Sequence, residues 1–263
     1  TYNIPFEKLT SIATDGAQNM IGVVNGMVPR LKRKISRKVG PNHTPFKNVW
    51  CFAHRLNLVI TDFKSVPDIN SVFLFANWFS TKRNAAQYKT WLAKTHPNTH
   101  FRKIPKASET RWSFLRDVLR SMLTQVDQVE RFVLQYDEFR ATRQKLGPLF
   151  ESTSSATSPL TNAFAIAHFK FALFLLDKIC VLNARMQAEY STMPGLWEYV
   201  LNFKSEMRIF LDEVKRNGFE QFDSIHSLTE SQKASFLRVL ERFVLNMDIR
   251  FPCHSLSMET GLA

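Results

Sequence analysis

Asp15 ends the first apolar run of the chain, in Thr14-Asp15-Gly16-Ala17-Gln18-Asn19-Met20. A carboxylate at the carboxyl end of a buried strand sits where α/β sheets usually hold ligands. It can bind a hard cation such as Mg²⁺ or Mn²⁺ through oxygen, and a pair of such ions can clamp an in-line phosphoryl transfer. The same residue can equally well cap an Asp-Gly turn. A second cluster, Cys51-Phe52-Ala53-His54-Arg55-Leu56-Asn57-Leu58, sets a thiol and an imidazole close together. Zinc needs four protein ligands, or three and a water. Only His43 is near enough in sequence to serve as a third, and Cys253-His254 lies far down the chain. Cys51 therefore reads as a small buried apolar group at a strand end, and His54 as a helix-start residue bonding to neighbouring loops. In the third cluster, Glu109-Thr110-Arg111-Trp112, a cation adjoins a flat aromatic. Arg111 and Trp112 can stack an unpaired base and contact phosphate, or Trp112 can simply open a helix from the core side.

The stretch that joins these clusters is basic. From Arg30 to Arg116 there are 18 Lys and Arg against Asp62, Asp68 and Glu109, a net of +15, while the whole chain carries +12. The charge is regional, and it favours contact with a phosphate backbone. Its densest part is one face of a helix expected from about residue 26 to 39, bearing Arg30, Arg33, Lys34, Arg37 and Lys38. Such runs also occur as solvated surface or import signals.

Composition limits the classes available. The chain of 263 residues, 44% of them hydrophobic and 13% aromatic, suits a folded protein with one large core or two modest ones. Gly is scarce at 8, and neither glycine-rich phosphate-loop pattern occurs. Three widely spaced cysteines make no disulfide framework and suggest a reducing compartment. No apolar run is long enough for a membrane span. The opening Thr1-Tyr2-Asn3-Ile4 has neither initiator Met nor signal pattern, so the chain is expected to be a piece of something longer.

The elements that must position the clusters begin with Leu9–Thr14, a short β-branched run read as a strand. Asn25 is a plausible N-cap for the basic helix, whose inward face is Met27, Val28, Leu31 and Ile35. Gly40-Pro41-Asn42 ends it. A second strand is expected over Lys47–Phe52, and a helix over about His54–Phe63 with Leu56, Val59 and Ile60 turned inward. Strand, helix, strand, helix at this spacing is an α/β unit. Beyond Ile69 the pattern is helical: Ser71–Thr95, then about 112–147, 160–190, 194–217 and 228–248. Ser152 to Pro159 is the clearest loop.

In this order and spacing, the three clusters, with Gly22 and Asn25-Gly26, resemble the transposase-like region of the hAT superfamily. The likeness is strongest to animal hAT-derived proteins of the zinc-finger MYM-type and BED-finger groups, which descend from domesticated transposable elements. It covers about residues 10–116. The resemblance implies an RNase H-like fold interrupted by a large all-helical insertion, and a phosphoryl-transfer site of the DDE type using two metal ions. It makes Asp15 the second catalytic carboxylate, puts the family's C-x-x-H pair on Cys51 and His54 beside that site, and puts its base-stacking Arg-Trp pair on Arg111 and Trp112.

The chain departs from the pattern in its other acids. The family's first catalytic Asp lies on a strand upstream, and only 14 residues precede Asp15, with Glu7 the one acid among them. The final Glu belongs to a Ser-Glu-Arg-like helix, and the tail offers only Glu259. A lone carboxylate cannot assemble a two-metal site. The expectation is thus a catalytically incomplete hAT-transposase-derived protein, with a vestigial Asp15 and no cofactor unless the DDE site is complete, when Mg²⁺ or Mn²⁺ would bind. Its fold would be a partial α/β RNase H-like domain over 1–70 and a helical insertion-type domain over 71–263, predominantly helical overall. It would bind DNA with weak specificity through residues 30–116, in the nucleus and off the membrane, with a homo-oligomer or protein partner also open. The rivals are an active metal-dependent DDE transposase or nuclease and a protein-interaction scaffold.

Overall fold

A computed structural model of the chain describes residues 5, 8–9, 11–15, 17–40, 47–99, 101, 103–105, 112–151, 163–187, 193–219 and 228–252. Within them the chain is predominantly helical, with two short strands, β1 (Ser11–Thr14) and β2 (Lys47–Trp50). These pair in parallel, Ser11 opposite Lys47 and Thr14 opposite Trp50. Parallel pairing requires a crossover, supplied by α1 (Gln18–Ile21) and α2 (Met27–Val39). The expected α/β unit is therefore present, as two strands; an RNase H-like sheet is not established by them.

Helix α2 forms because its apolar residues recur at helical spacing. Val28 and Ile35 are buried, and Met27, Leu31 and Val39 pack beside them against Leu9, Ile12 and Ile21. This small core is separate from the main one. The N-cap is Gly26, not Asn25 as expected: Gly26 is extended at φ −63 and ψ 151, and no side chain caps the helix. Asn25 lies in the turn between α1 and α2.

Helix α3 (Phe52–Thr61) follows β2 directly and begins two residues earlier than expected. Leu56, Val59 and Ile60 face inward as their spacing requires. The helix continues as a 3-10 turn, Asp62–Ser65, into α4 (Pro67–Phe79) and α5 (Lys82–Thr95). The single helix expected over 71–95 is thus two. The break is at Ser80-Thr81, where Thr81 Oγ1 accepts the Asn84 N–H and caps α5. Likewise 112–147 divides into α6 (Trp112–Leu123), α7 (Val126–Gln135), α8 (Asp137–Thr142) and a 3-10 turn, Arg143–Leu146. The four-residue α9 (Pro148–Glu151) precedes three long helices, α10 (Ala163–Met186), α11 (Met193–Asn217) and α12 (Glu230–Arg250).

The main core is aromatic. Phe75 stacks on Phe150 at 5.1 Å and meets Phe139 and Phe169 edge-on. Phe171 stacks on Phe236 at 4.3 Å. Offset and edge contacts of this kind add to the burial of large apolar surface. The same core takes in Val49, Phe52, Leu56, Val59 and Ile60, so side chains before residue 70 are built into the helical body, α3 packing on α12 and α10.

Candidate nucleic-acid interface

Where β1 and β2 end, the chain assembles a small polar junction. The Cys51 N–H donates to the Thr14 carbonyl at 2.7 Å, extending the ladder by one bond. Thr14 Oγ1 donates to Asn48 Oδ1 at 3.2 Å. The Trp50 indole Nε1 donates to the Asp15 carbonyl oxygen at 3.0 Å, and Asp15 Oδ1 accepts the Ala17 N–H at 3.0 Å. The carboxylate thus caps its own turn, two residues on, as Asp does at such positions. Asp15 is exposed.

Trp50 stands between Asp15 and the Cys51–His54 pair: its indole bonds to the Asp15 carbonyl, and it adjoins Cys51 in the chain. The imidazole of His54 stacks on the Trp50 ring, 6.2 Å between centroids, rather than bonding to neighbouring loops as expected. Cys51 is half-buried, not buried, because it occupies the cap position where β2 turns into α3. Among the described residues, no group of three or more His, Cys, Asp or Glu gathers to hold a metal ion. One Asp15 carboxylate oxygen is engaged by the Ala17 N–H, and the donors gathered about it among the described residues do not make up the two-metal centre that the family pattern implies. His43, a possible zinc ligand by sequence, is outside the described residues.

The charge of the basic stretch is divided by the fold. Arg55 is spent on the interior: 7% exposed, its guanidinium lies 5.7 Å from the Trp50 ring centroid and 5.8 Å from that of Phe52. Its Nη1 donates to the Arg250 carbonyl at 3.4 Å, tying α3 to the end of α12. Arg116 pairs with Asp117 at 2.7 Å and Arg83 with Glu138 at 3.0 Å. The α2 cations differ from these in their exposure. Arg30, Arg33, Lys34, Arg37 and Lys38 are all exposed, on a helix with no acidic residue.

The spacing orders them. Arg30, Arg33 and Arg37 form one row opposite the apolar face, and Lys34 and Lys38 flank it. Lys32, outside the basic face expected from the sequence, is exposed on the other flank. Its sequence signal was its place one residue past the apolar stripe. Arg33 has a second task. Its Nη2 donates to the Val24 carbonyl at 2.7 Å and its Nε to that of Pro29 at 3.3 Å, bracing the turn before the helix.

Arg111 is outside the described residues. Trp112 opens α6, on the helical body, and its side chain is not among those described. The helical body carries another feature. A groove between α10 and α11 is lined by Phe174, Met207, Ile209 and Phe210 together with the polar Asn202, Ser205 and Glu213 and the ion-paired Lys178 and Glu206. No helix among the described residues is long and apolar enough to cross a membrane.

No family model matches the chain, and no solved structure matches it. The chain is 20% identical over 235 residues to general transcription factor II-I repeat domain-containing protein 2 of Bos taurus, a match that covers 88% of this chain and 22% of the relative. The chain therefore spans about a fifth of the length of that curated relative.

Proposed function

We propose that this chain is a non-catalytic, DNA-contacting module descended from a hAT-type transposase, and that it acts in the nucleus. The observation that carries the reading is α2: six exposed cations on thirteen residues, unopposed by any acid on the helix, held on a core of their own. Phosphate contacts of this kind position a protein on a duplex with little base readout. The distant likeness to a transcription factor II-I repeat domain-containing protein fits it loosely, as does the crossover β1-α1-α2-β2, which is compatible with part of an RNase H-like sheet. In this reading Asp15 serves as a turn cap, its Oδ1 accepting the Ala17 N–H.

The test is fluorescence anisotropy of a labelled mixed-sequence duplex titrated with the full chain, first at low salt and then with rising KCl. Binding that weakens steeply with salt and is matched by unrelated duplexes is the expected result. No binding at low salt overturns the proposal. Mg²⁺- or Mn²⁺-dependent cutting or joining of the duplex, abolished by Asp15→Asn, would establish the transposase reading in its place. A scaffold role is favoured by one observation, the α10–α11 groove with Ile209 exposed on it, and it predicts a partner bound without salt-sensitive DNA binding.

A further inference from the structure

The turn between α1 and α2 carries an apolar tip. Val23 is 88% exposed and Val24 69%, the two most exposed large hydrophobic side chains among the described residues. Single exposed valines are ordinary. These two are adjacent, and the backbone that carries them is pinned. The Gly22 N–H donates to the Gln18 carbonyl at 2.9 Å, and the Gly26 N–H to the Gly22 carbonyl at 2.8 Å. A Cβ on Gly26 would stand 2.5 Å from the nitrogen and the oxygen of Gly22, so only glycine fits there. Arg33 closes the turn by its bond to the Val24 carbonyl. That bond also sets the tip against the arginine row of α2.

We infer that Val23 and Val24 are a groove contact for duplex DNA, seated where the Arg30–Arg33–Arg37 row meets the phosphates. The inference rests on the DNA-contacting reading and adds an apolar component to it. The juxtaposition selects its ligand by chemistry. A duplex presents phosphates along two ridges and, recessed between them, deoxyribose edges and the methyl groups of thymine. An apolar tip projecting beside a cationic row matches that relief: the arginines take the ridge, and the valines enter the groove. Apolar atoms make no counterion-releasing contact, so this component is insensitive to salt, unlike the phosphate contacts.

The experiment compares the full wild-type chain with Val23→Ser/Val24→Ser, titrated into the same labelled duplex over a KCl series. Both side chains are exposed, so helical circular dichroism and the melting temperature stay as in wild type and certify the fold. The double variant should bind about tenfold more weakly at every salt concentration, with the slope of log affinity against log salt unchanged. If wild type binds and the variant binds within about twofold of it, this inference fails while the DNA reading stands. If wild type binds no duplex, both fail. Valine-dependent binding to phosphatidylserine vesicles without duplex binding would overturn it too, assigning the tip to a lipid surface.

Discussion

Replacing Arg30 and Arg37 by Gln removes the two ends of the outward row on α2 and leaves Arg33 to brace the turn. Neither side chain packs in the small core, so the helix stays folded. From Arg30 to Lys38 the helix rises about 12 Å. One strand of duplex DNA carries a phosphate for roughly every 3.4 Å of its axis, so the row and its flanking lysines can meet about four phosphates along one strand. At about 0.9 counterions per phosphate contact, log affinity should fall against log salt with a slope near −3.6, or about 150-fold between 50 and 200 mM salt. With two contacts gone the slope should be near −1.8 and the loss about 12-fold over the same range. Anisotropy titrations at four or five salt concentrations give both slopes directly. Lys94→Gln, on an exposed position of α5, is the control and should leave the slope at the wild-type value. An unchanged slope in the double variant would show that α2 is not the phosphate-binding face, however weakly the variant binds.

Other outcomes follow from the packing. Gly26→Ala forces a methyl group into the Gly22 backbone and should cost about 1–3 kcal/mol. Because α2 has its own core, the loss should appear as early exchange of α2 amides and weakened DNA binding, with the main urea transition little moved. Thr229→Ala removes the capping box of α12, in which Thr229 Oγ1 and Gln232 Oε1 accept each other's backbone N–H groups. It should cost about 1 kcal/mol by urea denaturation. The His168 imidazole, whose Nε2 lies 3.7 Å from Asp68 Oδ2, holds the Asp68 carboxyl below its ordinary value of 3.8, with burial opposing and the hydrogen bond from the Ser235 hydroxyl assisting. The folded pKa is the lower one, so this stabilisation is present above pH 3.8 and drains away as the pH falls through the folded value. In Asp68→Asn, stability measured by urea melts should vary less with pH across that acid range.

The local elements were largely legible. The β-branched runs ending at Asp15 and at Cys51, and the apolar period of α2, are patterns that short segments display by themselves. The breaks were not. Residues 71–95 read as one continuous aromatic helix, because nothing apolar is missing at Ser80-Thr81; only Thr81 as a cap, with Asn84 bonded to the Trp78 carbonyl at 2.7 Å, marks the turn. Long-range pairings left no sequence signal at all. Asp68 meets Ser235, 167 residues away, and Arg55 is drawn inward by Trp50, Phe52 and the far end of α12. That is why a count of cations overstates what the surface offers: a guanidinium clamped among rings contributes packing and little field. Of the candidate site, the cationic face could be drawn on a helical wheel, whereas the valine tip depends on how two glycines bend the backbone.

The junction of β2 with α3 has a consequence for how the molecule comes together. The few side chains under α2 form too small a nucleus to persist alone, and the strand they rest on, β1, pairs with β2, which leads directly into a helix embedded among the aromatics. The cationic ridge should therefore gain its firm shape with the docking of α12 on α3. A nascent chain would carry the same charges on a loose polymer, and the proposed hold on a duplex would come as the last property acquired.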